Sequence, residues 1–291
     1  MSDSHLKGYF QVAAGAILFG LIGIFVKLIP DMSVGSIIFY RFLVSIITVT
    51  FYFALTGRFN DLVLNEKKVH ILLLGIFQAG TMLGFFISIK YTTVAIAVLL
   101  LYTAPIYVAL LSPLILKEPI TRHGLAALIL AIAGVIMVVQ PQTISQDIGQ
   151  VTGLAAGLVS GLAYACMILT SRKLRNHYTG TVQASWALFI TMVIFIPYSV
   201  VPTGVLLDNL LLLIPFGFIP TIALILYLSG LRHIKAQNAS IMGLLEPVSA
   251  AIFAYIILSE PFSIPTLTGG GLILLGAFLV SREKPVEYIH E

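Results

Sequence analysis

Two charged residues stand where an apolar chain has least reason to keep them. Arg41 lies in Ile37-Ile38-Phe39-Tyr40-Arg41-Phe42-Leu43, and Glu246 lies in Gly243-Leu244-Leu245-Glu246-Pro247. A charge within the hydrocarbon of a bilayer costs about 2.5–3.5 kcal/mol on insertion scales, so such a residue has a task. A guanidinium can hold a substrate carboxylate. A carboxylate can bind a substrate ammonium group or a coupling proton. The structural alternatives are an anchoring role for Arg41, and for Glu246 an ion pair or interhelical hydrogen bond beside Pro247.

Other side chains with chemical potential sit in similar surroundings. Gln78, Thr81 and Phe85 follow i, i+3, i+7 spacing and share one helical face. Pro220, Ala223 and Tyr227 form the matching face of a later segment. Tyr102, Tyr164, Trp186 and Tyr227 are candidate aromatic walls, because small-molecule sites are mostly apolar with a few placed polar groups. Packing between helices or a place at the membrane interface competes for each aromatic residue. Pro105 and Pro247 are candidate helix breaks and gating points, since proline removes a backbone donor and clashes with the preceding turn. The candidate substrate-binding set is therefore Arg41, Gln78, Thr81, Tyr102, Tyr164, Trp186, Tyr227 and Glu246. No catalytic residue is assigned.

These residues must be positioned by membrane helices. The 291-residue chain is 59% hydrophobic and 10% charged, with a mean hydropathy of +1.04. Soluble domains have about 45–50% apolar and about 25% charged residues. The composition excludes a water-soluble enzyme, a nucleic-acid-binding module and a disordered chain. A net charge of +4 comes from scattered basic residues with no basic face, so nucleic acid is not an expected partner. The lone Cys166 cannot form an intrachain disulfide. The N-terminal apolar run is read as an uncleaved first span.

A helix crossing a bilayer core needs about 20 apolar residues. Such runs cover 8–28, 33–56, 69–90, 94–116, 121–140, 151–172, 180–201, 209–231, 238–258 and 263–281. The predicted fold is an all-α polytopic membrane protein of ten transmembrane helices. Pro30 and Gly57 punctuate helix ends, and Thr121 and Ser263 are expected N-caps. Thirteen basic residues fall at the termini and on one set of alternate loops: Lys7, Arg58, Lys67, Lys68, Lys117, Arg122, Arg172, Lys173, Arg175, Arg232, Lys235, Arg282 and Lys284. The opposite set holds Lys27 and Lys90. By the positive-inside rule both termini are cytoplasmic.

A shift of 142 residues aligns the two halves. Gly75 meets Gly217, Lys90 meets Arg232, Pro105 meets Pro247, Glu118-Pro119 meets Glu260-Pro261, and Gly134 meets Gly276. Gly15 stands opposite Gly157 in the weaker-matching first spans. The expected organisation is a first repeat over 1–142 and a second over 143–291. Five spans per repeat is an odd number, so the second copy enters the membrane inverted. Inverted repeats are a device of secondary transporters, whose halves exchange conformations around a central site. Arg41 and Glu246 break the symmetry, because their partners at this offset are Gln183 and Ala104.

Ala104-Pro105-Ile106-Tyr107 running to Lys117-Glu118-Pro119-Ile120-Thr121 resembles the fourth-span segment of EamA-type transporters in the drug/metabolite transporter superfamily. Leu245-Glu246-Pro247-Val248 running to Leu258-Ser259-Glu260-Pro261 resembles its second copy, and Tyr40-Arg41-Phe42-Leu43 is similar to that family's Arg-Phe-Leu segment. The resemblance covers essentially the whole chain. It implies a multi-pass carrier of the inner or plasma membrane, often an exporter of amino acids or related metabolites, with a cavity between the repeats.

Close helix contacts account for Gly80-x-x-x-Gly84, for Gly153, Gly157 and Gly161, and for Gly269-Gly270-Gly271. The sequence lacks a GxxxxGK[ST] loop, so this chain is not expected to hydrolyse ATP. It has no mid-membrane histidine and no paired metal ligands, so no cofactor or metal is expected and the protein is not read as an enzyme. The leading expectation is a proton-linked or facilitative carrier, monomeric or homodimeric in the lipid bilayer, that exports a small amphipathic metabolite, amino acids first. A channel, a membrane scaffold and an intramembrane lipid-modifying enzyme are the alternatives.

Overall fold

The computed structural model describes residues 3–29, 31–92, 94–139, 148–259 and 264–282. Among the described residues the chain is helical, with no strand. The helices are α1 (Asp3–Phe19), α2 (Ile22–Leu28), α3 (Val34–Thr56), α4 (Lys68–Tyr91), α5 (Val94–Leu101), α6 (Ala104–Ile115), α7 (Arg122–Val139), α8 (Ile148–Lys173), α9 (Gly180–Ile194), α10 (Thr203–Leu231), α11 (Ala236–Gly243), α12 (Leu245–Leu258) and α13 (Ile264–Ser281). Pro30, Glu260, Pro261, Ser263 and Lys284, named above, lie outside the described residues.

Seven helical stretches are long and apolar enough to cross a membrane, and three shorter apolar helices accompany them. Large apolar side chains cover the exterior, among them Phe51, Leu114, Leu211 and Ile256, each more than 60% exposed. Charged and polar groups such as Arg41, Glu118, Arg172 and Gln183 are instead buried. This distribution suits hydrocarbon as solvent, where backbone groups must be satisfied within helices and charges turned inward. The chain is a multi-pass membrane protein.

Local chemistry sets the boundaries. Gly57 closes α3 with a left-handed φ of 66°, and the Thr121 hydroxyl accepts the Gly124 amide at 2.9 Å as α7 begins. α9 ends at Ile194, earlier than the apolar run suggests, where Ile196–Tyr198 tightens into a 3-10 turn around Pro197. α10 starts directly after Pro202, six residues before 209. The six residues missed, 203–208, include Asp208, which interrupts a purely apolar count. The Asn209 amide folds back onto the Val205 carbonyl at 2.9 Å.

The most informative departures are breaks inside expected spans. The first span divides at Gly20-Leu21. The fourth divides at Tyr102-Thr103, and α11 gives way to α12 at Leu244. A proline ring clashes with the carbonyl four residues earlier. That residue is Leu101 for Pro105 and Gly243 for Pro247, and these are the last residues of α5 and α11. Each proline then occupies the first turn of the next helix, where its missing N–H costs no bond. Both positions are therefore interruptions rather than kinks in continuous helices.

The helices pack across the two halves. α4 lies on α8 and α9, α10 lies on α1 and α3, and α7 lies on α13. These pairings exchange with one another under the 142-residue shift. The α7–α13 seam repeats the exchange at atomic scale: a Cβ on Gly134 would meet the Gly269 carbonyl and Ile273, while one on Gly276 would meet the Ala127 carbonyl and Ala131. Positions 269 and 127, and 273 and 131, are again 142 apart. Lys117 and Ser259, also 142 apart, share a left-handed φ of 57°.

Candidate functional site

A cavity with room for several water centres, about 70 Å³, lies among α3, α4, α8, α10 and the start of α12. α3 brings Arg41 and Ser45, and α4 brings Gln78, Thr81 and Met82. Tyr164 and Met167 come from α8, Pro220, Thr221 and Tyr227 from α10, and Glu246 from the first turn of α12. Phe19 and Ile22 close it from the α1–α2 break. Gly20 allows this approach: a Cβ there would strike Ser249 Oγ and sit 2.7 Å from the Ala250 amide nitrogen on α12.

Most hydroxyls around the cavity are already bonded to their helices. Ser45 Oγ donates to the Arg41 carbonyl at 2.9 Å and to the Gly217 carbonyl at 3.2 Å. Thr81 Oγ1 donates to the Phe77 carbonyl at 2.7 Å, and Thr221 Oγ1 to the Gly217 carbonyl at 2.7 Å. Two polar atoms remain without a protein partner, Arg41 Nε and Gln78 Oε1. Both side chains are 5% exposed. A buried polar atom left unpaired costs about 1–3 kcal/mol, so each position calls for a ligand or water.

The charges meet here as well. Arg41 and Glu246 interact electrostatically across the cavity. The guanidinium also rests over the Phe216 ring, 5.1 Å from its centroid, a cation–π contact that partly offsets its desolvation. Tyr102, buried, lies close to the Glu246 carboxyl. The Tyr164 and Tyr227 hydroxyls converge on Gly243 at the end of α11. Tyr227 Oη donates to the Ala239 carbonyl at 3.2 Å.

Of the sequence-predicted residues, Arg41, Gln78, Thr81, Tyr164, Tyr227 and Glu246 line the cavity, whereas Tyr102 is buried close to Glu246 and outside the lining. Trp186 is not brought to it. Its indole N–H donates to the Leu62 carbonyl at 3.0 Å, fastening the α3–α4 connection. Pro105 and Pro247 stand at the two helix interruptions, whereas Phe85 packs against Phe86 away from the lining. Among the described residues, no group of three His, Cys, Asp or Glu side chains gathers as a metal site.

A second polar cluster was not singled out by its residue types. Glu118, fully buried after α6, accepts from Arg172 Nε at 2.8 Å and lies 3.6 Å from Arg175 Nη1. Its other carboxylate oxygen accepts the Ala236 amide at 2.9 Å, capping α11. Arg172 Nη1 donates to the Leu231 and Arg232 carbonyls at 3.0 and 2.6 Å. It thereby satisfies the end of α10. Burial lowers the Arg232 pKa from its ordinary value. Partial burial, then Arg232, Lys7 and Arg172, hold His233 below 6.5. In sequence Arg172 and Arg175 read as topology determinants. The earlier signals were the recurrence of Glu118-Pro119 at the 142-residue offset and its place in the segment that resembles the family.

With this geometry in hand, similarity to known proteins becomes informative. Residues 6–140 and 151–282 each match the family model described as the EamA-like transporter family. A protein of Archaeoglobus fulgidus named as an uncharacterized transporter is 29% identical over 95% of this chain and 97% of its own length. The uncharacterized inner membrane transporter YicL of Salmonella typhimurium is 25% identical, covering 97% of both chains. A crystal structure at 17% identity superposes with a TM-score of 0.80 over 96% of each chain, a likeness of fold.

Proposed function

The chain belongs to the EamA-like transporter family, and from that membership we propose a secondary transporter that moves a small amphipathic metabolite, an amino acid or close relative, outward by alternating access. One observation carries this reading: two opposite charges from different halves, Arg41 and Glu246, face one buried cavity that also holds the unpartnered Arg41 Nε and Gln78 Oε1. A zwitterion supplies a carboxylate for Arg41 and an ammonium group for Glu246. Its ammonium group also has N–H donors for Gln78. Tyr164, Tyr227 and Met82 offer an apolar surface to the side chain. Glu246 is in addition the candidate proton carrier of a proton-linked cycle; a facilitator would leave it to the substrate alone.

Ten spans arranged as two inverted five-helix repeats, 1–142 and 143–291, with both termini in the cytoplasm, are the architecture we assign to this activity. The exchange of helix pairings at the 142-residue offset supports the repeat, and the basic residues support the orientation. The interruptions at Pro105 and Pro247 support a gating role, since transporter sites commonly form where membrane helices are discontinuous. The inner or plasma membrane is the expected location, as a monomer or homodimer.

Purified protein in proteoliposomes, challenged with a panel of labelled amino acids, tests the reading. Saturable uptake with countertransport is expected. Linear, non-saturable flux would instead indicate a channel, and no uptake of any amino acid would remove the substrate assignment.

A further inference from the structure

At one end of the bundle the N-terminal half grips three successive residues of the C-terminal half. The Ala236 amide donates to Glu118 Oε2 at 2.9 Å. Gln237 Nε2 donates to Ser112 Oγ at 3.2 Å and to the Glu118 carbonyl at 3.1 Å. Asn238 Nδ2 donates to Tyr9 Oη at 2.6 Å, and that hydroxyl donates onward to the Val280 carbonyl at 2.6 Å. All three residues are buried. Arg172 presses the Glu118 carboxylate from the other side at 2.8 Å. These contacts surround the start of α11, whose far end at Gly243 meets the Tyr164 and Tyr227 hydroxyls and leads into Glu246.

The opposite end cannot copy this arrangement. Shifted by 142 residues, Ala236-Gln237-Asn238 becomes Val94-Ala95-Ile96, Arg172 becomes Pro30, Arg175 becomes Ser33, and Tyr9 becomes Val151. Of the set, only Glu118 finds its like, in Glu260. The two halves thus carry different residue types at the positions that hold the broken helix. Moving α11 away from α6 and the Glu118 turn requires water to replace the three hydrogen bonds that Ala236 and Gln237 make to Glu118 and Ser112. At the equivalent positions of the other end, the sequence asks for no such exchange.

We propose that the start of α11, held by Glu118, Arg172, Ser112 and Tyr9, is the latch of the gate on the basic face of the membrane, and that it biases the resting transporter towards closure on that face. This inference rests on the alternating-access reading above. It adds which gate is fastened and by which residues. Because Glu118 carries the bonds to both Arg172 and α11, opening couples the α6–α7 connection to the helix that ends at the cavity.

The test replaces Cys166 with serine and introduces a reporter, Ser240→Cys, one turn into α11 from the latch. Sealed vesicles of both orientations are exposed to a membrane-impermeant maleimide. With the latch intact, labelling from the basic face is slow. Gln237→Ala combined with Asn238→Ile, which installs the residue types of the other end, is expected to raise that rate at least ten-fold and leave labelling from the opposite face unchanged. Glu118→Gln should act in the same direction. If that variant does not fold, Arg175→Gln, a peripheral member of the cluster, should still give a rise of about three-fold. Unchanged rates in folded variants, or equal rises from both faces, would overturn the latch. The readout needs no substrate: failure of amino acid uptake leaves it standing, and unchanged labelling beside intact uptake sinks the latch alone.

Discussion

The cavity around Arg41 and the cluster around Glu118 both bury a charge pair between halves of the molecule, yet they are finished differently. Glu118 has a partner on each carboxylate oxygen, and Arg172 spends its donors on Glu118 and two helix-end carbonyls. Arg41 has an aromatic ring and a distant carboxylate, with its Nε unpartnered and Gln78 Oε1 unpartnered nearby. A buried charge network completed by the protein holds elements together. One left incomplete keeps places for something that arrives later. Satisfaction, more than the presence of charge, separates a joint from a binding site here.

The largest effect should come from breaking the completed network. Glu118→Ala strands the Arg172 guanidinium and the α11 amide, and removing one member of a buried pair costs about 3–5 kcal/mol. Arg41→Met leaves Glu246 without its opposite charge but also removes an unpaired donor and an imperfectly repaid desolvation, so it should cost less than Glu118→Ala. Denaturation in detergent compares the two. Equal losses would break the distinction.

Transport should rank them in reverse. Arg41→Gln and Glu246→Gln, folded like the parent, are expected to weaken amino acid transport about ten- to hundred-fold, the loss of a charge-assisted contact of about 1.5–3 kcal/mol. If the cycle is proton-linked, Glu246→Gln also loses its response to an imposed proton gradient. Retention of normal, pH-independent transport would assign the pair a structural role.

Gln78→Leu sharpens the comparison at smaller scale. An uncharged hydrogen bond is worth about 0.5–1.5 kcal/mol, so the apparent Kd should rise about two- to ten-fold. Stability without substrate should be unchanged or slightly raised, since an unsatisfied acceptor disappears. Substrate-induced shifts in unfolding temperature read both quantities.

The smallest effect concerns the fringe of the Glu118 cluster. His233 is held below its ordinary value of 6.5 by partial burial and by Arg232, Lys7 and Arg172. The unfolded chain therefore binds a proton there more readily than the folded one. This contribution is fully present above about pH 6.5 and is lost as pH falls beneath it. His233→Gln should flatten that part of the stability–pH curve slightly, because the side chain is exposed and its interactions are screened.

Much of the bundle was legible because hydrocarbon enforces a simple code. Apolar runs marked the helices, and a constant 142-residue offset marked the correspondence of the two halves. Pro105 and Pro247 even announced where helices stop, through a clash fixed by covalent geometry. The candidate site was marked by its charges, since Arg41 and Glu246 are costly inside hydrocarbon unless something there uses them. Trp186 was not separable from a cavity residue by type, because an indole needs one acceptor and any carbonyl near the interface serves. Ser45 and Phe216 gave no signal at all, being ordinary residues made important by their neighbours.

The sequence by itself determined that this chain must live in a bilayer, that its two halves share a pattern, and that two mid-membrane charges demand an explanation. Tertiary structure alone decided which polar groups find partners and which do not. Burial cost depends on residue type and is written locally, but hydrogen-bond satisfaction depends on atoms more than a hundred residues apart, as with Glu118 and Ala236. Only packing can bring such atoms within 3 Å, or set Arg41 Nε and Gln78 Oε1 at a cavity without a protein partner.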